Sequence, residues 1–280
     1  MTVPPTIVRR FDPRRLYTAA LLLPTVYAII LYLPPWPLTL LLVVGGGLAL
    51  VELYRITLTA PLNRWLVAVG LSLTSLVLAR HIFSLLITDL LLMGTWAMVV
   101  SLFLASGSFH RRIKETAIVG FGVLYVGATL STITSTRLLP GGERFVIFLA
   151  LVTWSGDIGA YYIGTLFGKH LLAPSISPKK TVEGALGGLA LAESAAVVGQ
   201  RWLVPEFSLS DTVALGFLLT VAGLLGDLWE SVIKRRAGVK DSGSILPGHG
   251  GMLDRLDSLL FTAPAFYYYV TYFRELGPSP

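Results

Sequence analysis

Cysteine is absent from the 280-residue chain, which excludes disulfides, thiolate nucleophiles and cysteine-held zinc. Histidine is scarce, and His81, His110, His170 and His249 are too scattered to suggest an imidazole metal centre. Charge is also thin: Asp, Glu, Lys and Arg make up 14% of the residues, against about a quarter in a soluble domain. There is no G-x-x-x-x-G-K-[ST] phosphate loop, because GTLFGKH has the wrong spacing and lacks the hydroxyl residue. A G-x-G-x-x-G dinucleotide fingerprint is missing too. No basic run is interleaved with aromatics, so nothing points to a nucleic-acid partner.

What the chain has instead is apolar length. Hydrophobic residues make up 54% of it, and the mean hydropathy is +0.72. A bilayer is the solvent that this composition fits. A spanning helix needs ~20 apolar residues, since ~30 Å of hydrocarbon is crossed at ~1.5 Å per residue. That ruler predicts an all-α polytopic membrane protein with about nine transmembrane helices, at residues 16–33, 37–54, 64–80, 83–105, 116–136, 144–167, 184–203, 211–233 and 256–273. Arg9, Arg10, Arg14 and Arg15 precede the first, which reads as a retained helix and not a cleaved signal. With a cytoplasmic N-terminus and alternating spans, 17 of the 22 basic residues fall inside and five outside. That asymmetry obeys the positive-inside rule, so the net charge of +6 reports topology and anionic headgroups.

The polar residues are unevenly placed. Residues 1–110 read as a transmembrane scaffold of four spans, and residues 111–280 as a catalytic region of five. The long polar loops 168–183 and 234–255 fall on the cytoplasmic side of this topology. Chemistry is expected where they meet.

The densest polar stretch is residues 231–257, SVIKRRAGVKDSGSILPGHGGMLDRLD. Its lysines, arginines, aspartates and glycines suit a phosphate-rich ligand with a divalent cation. Asp227 lies two turns before its basic start, and a helix puts Asp227, Ser231 and Lys234 on one stripe, with Glu230 a turn along the same side. An acid at this depth costs ~2.5–3.5 kcal/mol on insertion scales, so it must face a partner or water. An ion pair with Lys234 or a loop arginine satisfies it, or a metal does. Asp254 and Asp257 share a helix face at i, i+3, and Arg255 projects elsewhere. Asp227, Asp254 and Asp257 are therefore the candidate ligands of a divalent metal, although Asp257 also suits a helix start by charge alone.

Between them, residues 247–252 (PGHGGM) offer N–H groups to an anion, with Gly250 and Gly251 free to adopt unusual dihedrals. His249 either donates to a phosphate or braces this loop. In the other loop, Ser177-Pro178 reads as an N-cap followed by proline at the first helical position. Lys179, Lys180 and Thr181 then stand near a helix N-terminus, a place suited to a triphosphate. Asp157 in TWSGDIGAYY completes a polar pocket with Asp227, while Asp89 and Glu193 lie outside any polar cluster. Read as an ion path, Asp89, Asp157, Glu193 and Asp227 would suit a transporter. No pair of interrupted spans supports that alternative.

Ser231, Lys234-Arg235, Lys240-Asp241, Gly243, Leu246-Pro247, His249-Gly250-Gly251 and Asp254-Arg255-x-Asp257 resemble the signature of the phosphatidate cytidylyltransferases. The segment with Trp154, Asp157, Ser177-Pro178-Lys179-Lys180-Thr181 and Glu183-Gly184 is similar to the same family. The resemblance covers roughly residues 150–265. It implies transfer of a cytidylyl group from CTP to phosphatidic acid, giving CDP-diacylglycerol and pyrophosphate. It also implies Mg²⁺, with room for a second cation, and a homodimer in the bacterial-type plasma membrane whose site faces the cytoplasm. On this resemblance Asp227, Asp254, Lys234 and Lys180 are catalytic. Lys179, Lys180, Thr181, Ser231, Lys234, Arg235, Lys240, Asp241, His249, Gly250, Gly251 and Arg255 bind the substrates. Asp227, Asp254 and Asp257 hold the metal.

Overall fold

The computed structural model describes residues 13–58, 63–104, 107–243 and 250–274, with side chains of the first helix from residue 23 onward. His249 and the Leu246-Pro247 pair lie outside the described residues. The order is α1 (Pro13–Tyr32), α2 (Pro35–Thr57), α3 (Arg64–Leu78), α4 (Ile87–Leu104) and α5 (Phe109–Gly122). A π-helical stretch, Val123–Ala128, joins α5 to α6 (Thr129–Arg137) in one continuous rod. Then follow α7 (Gly142–Phe167), β1 (Leu171–Ala173), β2 (Ser177–Thr181), α8 (Val182–Trp202) and α9 (Leu209–Arg236). The described chain closes with α10 (Leu253–Leu256), α11 (Leu259–Tyr268) and a second π-helical turn, Tyr269–Phe273.

The chain is thus an all-α membrane protein, with one short hairpin among the described residues. Among those residues five helices are long and apolar enough to cross a bilayer: Pro35–Thr57, Phe109–Arg137, Gly142–Phe167, Val182–Trp202 and Leu209–Arg236. Each coincides with an expected span. The other four expected spans also fall on helices, but those are shorter or broken. The last one is interrupted at Asp257–Ser258, where the Ser258 N–H turns to Asp257 Oδ1 at 2.7 Å.

Close backbone packing sets the heart of the fold. On α7 and α8, glycines face glycines: a Cβ added at Gly159 would stand 2.6 Å from Gly187 O and 3.1 Å from Gly188 Cα. At Gly188 it would stand 2.8 Å from Gly156 O. Small residues at this spacing let membrane helices touch. Behind them α9 packs on α8, α7 and α11, while α11 also leans on α6. Buried Phe145, Phe148, Phe207 and Phe266 form one aromatic cluster with centroids 5.4 to 6.3 Å apart. In the N-terminal half, buried Tyr54 donates to Val119 O at 2.9 Å and ties α2 to α5. Large apolar side chains such as Trp96, Phe103, Leu166 and Leu186 remain exposed on the outer faces, where a bilayer would meet them.

One expectation is corrected. Ser177 and Pro178 do not start a helix: they lie in β2, antiparallel to β1, with Ala173 opposite Ser177. Proline is tolerated on an edge strand because its missing donor is not needed there. The helix starts at Val182, capped by Thr181, whose Oγ1 accepts from Gly184 N at 3.1 Å. Glu183 braces the turn by accepting from Lys169 N and His170 N at 3.0 and 3.1 Å.

Candidate active site at the basic end of α9

The last three turns of α9 form the floor of the site. Helical spacing brings Asp227, Glu230, Ser231 and Lys234 together on one side, as expected from i, i+3 and i+4 neighbours. Ser231 Oγ lies 3.5 Å from Asp227 Oδ1. Lys234 pairs with Glu230 one turn back on the same helix. Its Nζ also lies 2.7 Å from Asp254 Oδ1, and all three side chains are largely buried.

Asp227 does not pair with Lys234. Its partner is Lys180, carried in by β2, with Nζ 2.8 Å from Asp227 Oδ2. The hairpin within loop 168–183 thus sets a lysine over the Asp227 carboxylate of α9. Lys179, its neighbour on the strand, points the other way and is exposed.

Asp254 sits in the first turn of α10 and is fully engaged. Ser242 N donates to its Oδ2 at 3.1 Å and Gly251 N at 2.9 Å, alongside the Lys234 pair. Burial raises the carboxyl's pKa, but the bonds from Lys234 and Gly251 outweigh it and hold the group down to about 2. Gly250 adopts a left-handed φ of 82°, the conformation that places the Gly251 N–H towards Asp254. The N–H of Gly251, expected to face a ligand anion, donates to the protein's own carboxylate.

Asp257 lies at the α10–α11 break, across from α9. Ligand oxygens of Asp227, Glu230 and Asp257 all lie within 4.8 Å of one another. Glu230 is fully buried, and its Oε1 has no hydrogen-bond partner among the described residues. A buried carboxylate oxygen without a donor is costly, and an all-oxygen trio of this size matches a hard divalent cation. Asp157 on α7 is close by, accepting from Ser258 Oγ at 3.3 Å. The expected metal trio is therefore gathered only in part: Asp227 and Asp257 meet Glu230, while Asp254 is directed to Lys234 and the loop backbone.

The other expected residues spread around this centre. Arg235 is exposed and donates to Ile176 O and Val239 O at 3.3 Å, tying the hairpin to the end of α9. Lys240, Asp241 and Arg255 are exposed. Asp89 accepts from Leu86 N at 3.0 Å at the start of α4, remote from the site. Glu193 packs against Gly216 of α9, with Oε2 unpartnered among the described residues.

Two acids gain importance that the sequence did not give them. Glu230 reads as the second acid of an ordinary helical stripe. Glu52 stands near the end of an apolar span and three residues before Arg55, where an acid reads as interfacial. Its burial is the signal, and burial is visible only in three dimensions.

The cytidylyltransferase family model matches residues 13–273. A phosphatidate cytidylyltransferase of Bacillus subtilis is 36% identical over 246 residues, 85% of this chain and 90% of its own length. An uncharacterised Escherichia coli protein, YnbB, is 35% identical over 247 residues, 85% of this chain and 80% of its own. A Synechocystis phosphatidate cytidylyltransferase is 47% identical over 131 residues, 47% of this chain and 44% of its own. The match runs through α1 to the last described turn and so takes in the carboxylate cluster, both lysines and the apolar helices alike. This chain belongs to the cytidylyltransferase family.

Proposed function

We propose that this chain is a phosphatidate cytidylyltransferase, transferring the cytidylyl group of CTP to phosphatidic acid. A phosphatidate oxygen attacks the α-phosphorus of CTP. A P–O bond forms between them, the bond from that phosphorus to the α,β-bridging oxygen breaks, and pyrophosphate leaves with its electron pair. The observation that carries this reading is the pairing of two lysines with a cluster of carboxylates, in a membrane chain whose named relatives are phosphatidate cytidylyltransferases.

Phosphatidate is already an anionic nucleophile, so no strong base is required. The task is to bring two anions together, which is positioning and electrostatics. Asp227 and Asp257 would hold Mg²⁺ with Glu230, whose unpartnered oxygen fits that role, and Asp254 stands beside them to complete the shell or take a second cation. When bound, a divalent ion neutralises charge on the nucleotide phosphates. Lys180 and Lys234 have carboxylate partners now and would reach the phosphates of the substrates. Thr181, Lys179, Ser231, Arg235, Lys240, Asp241, Gly250, Gly251 and Arg255 would bind the substrates around this centre, and His249 is assigned with them from the sequence alone. The acyl chains stay in the bilayer as the headgroup enters.

The same proposal sets nine spans with a cytoplasmic N-terminus in a bacterial-type plasma membrane, a cytoplasmic site, a scaffold over residues 1–110, a catalytic region over 111–280, and a homodimer. The 17-to-5 split of basic residues supports the orientation.

The test is formation of CDP-diacylglycerol and pyrophosphate by purified protein given CTP and phosphatidate, with and without Mg²⁺. Product is expected only with the metal. Asp227→Asn and Asp254→Asn should each lower turnover by at least about 100-fold with the melting transition retained. Near-normal activity in either variant would remove that residue from the mechanism.

A further inference from the structure

We infer that Glu52, on α2 in the N-terminal half, is a positioning residue that holds the two flanks of the 244–249 segment in register and so fixes Asp254; this rests on the reading of the site given above. Glu52 is 1% exposed, near the end of a mostly apolar helix. Its Oε2 accepts from Ser242 Oγ at 3.1 Å and from Leu253 N at 2.9 Å. Those donors are eleven residues apart and lie on opposite sides of the segment. One carboxylate oxygen therefore fastens the strand that leaves α9 to the turn that begins α10.

The same two flanks make the bed of Asp254. Ser242 gives its hydroxyl to Glu52 and its N–H to Asp254. Leu253, whose N–H goes to Glu52, is buried and directly precedes Asp254. A path of direct contacts thus runs from Glu52 through Ser242 to Asp254, then to Lys234 and Glu230.

Two glycines show how closely the flanks approach this carboxylate. A Cβ at Gly243 would lie 2.8 Å from Glu52 Cδ, and one at Gly251 would lie 2.6 Å from Glu52 Oε2. Side chains on either residue would push the carboxylate away. The glycines of this signature therefore serve the seating of Glu52 as well as the turn itself. Bonds to a charged acceptor are about twice as strong as neutral ones, which gives a reason for glutamate over glutamine at a buried position.

The experiment compares wild type, Glu52→Gln and Glu52→Ala as full-length protein in nanodiscs. Backbone hydrogen exchange is read first, without substrate. In Glu52→Ala the Leu253 amide should exchange at least about tenfold faster, the loss of a charge-assisted bond, while amides of α7 and α8 keep their protection. Glu52→Gln should show a smaller rise in the same place, and it decides the matter if the alanine variant does not fold. Turnover is read second. Both variants should lose kcat, the alanine variant by about tenfold or more, with the KM for phosphatidate within twofold of wild type. Unchanged exchange at Leu253 in the folded variants overturns the inference. So does a loss of turnover that only tracks the loss of folded protein. If wild type forms no CDP-diacylglycerol but the exchange effect is present, the reading of the reaction falls and the positioning of the loop by Glu52 stands.

Discussion

Replacing Gly159 with alanine tests whether the α7–α8 contact sets the distance between Asp157 and Lys180. The new methyl carbon would lie 2.6 Å from Gly187 O, 2.9 Å from Leu191 Cβ and 3.1 Å from Gly188 Cα. Carbon atoms rest at about 3.5–4.0 Å, so the helices must part by roughly 0.5–1 Å. None of the three opposing atoms can rotate away. Overpacking of this kind costs about 1–3 kcal/mol, against which alanine regains about 1 kcal/mol of helix propensity. Gly94→Ala on α4 is the matched control, since a Cβ there meets nothing within 4 Å and only the propensity gain remains. The two variants should therefore differ by about 1–3 kcal/mol, or about 2–12 °C in melting temperature for a chain of this size. Turnover should separate them too. A 1 Å misplacement costs up to about 100-fold, and α7 carries Asp157 while α8 follows directly on Lys180. Melting temperature in detergent and CDP-lipid formation per folded protein are the assays. A Gly159→Ala protein that melts with Gly94→Ala and turns over like wild type would refute the reasoning.

Lys234→Met leaves buried Glu230 and Asp254 without their shared cation, so it should destabilise by about 3–5 kcal/mol. Adding Glu230→Gln to it should restore part of that stability but no activity. Thr181→Val removes the cap on Gly184 N and should cost about 1 kcal/mol, whereas Thr181→Ser should melt close to wild type. Mg²⁺ alone at about 100 times its dissociation constant should stabilise the protein by about 2.7 kcal/mol, and Asp257→Asn should abolish that gain in a thermal melt.

The sequence made the membrane class plain because 54% hydrophobic residues cannot be hidden in a soluble chain of this length. It also placed Asp227, Lys180, Lys234, Asp254 and Asp257 among the residues that meet, since each sits in a polar stretch that an apolar chain has little use for. Partnership was another matter. Helical spacing put Asp227 and Lys234 on one stripe and left their pairing open, whereas Lys180, the partner found, arrives from a hairpin that local pattern reads as a helix start. Proline at residue 178 satisfies the φ of a helix N-terminus and of an edge strand equally. The pairing of β2 with β1 and the capping bond of Thr181 separate the two. Glu52 was illegible for a different reason: its donors are 190 and 201 residues away, and no window along the chain contains both ends.

That long-range contact bears on how the charges of the site are compensated. Within this cluster of acids Lys180 pairs with Asp227, and Lys234 pairs with Glu230 and Asp254. Each lysine rests on a carboxylate, so neither stands as a lone buried charge, which would be far more costly than a paired one. Under the proposed reaction Lys180 and Lys234 would turn to substrate phosphate, and the carboxylates would hold a divalent cation that neutralises phosphate charge. The two lysines would thus have an anionic partner before and after binding, and neither need become a bare ion at the bilayer edge. Such an exchange works only if Asp254 keeps its place when Lys234 leaves. The Ser242 and Gly251 amides hold it independently of the lysine, and Glu52 holds the segments that carry those amides.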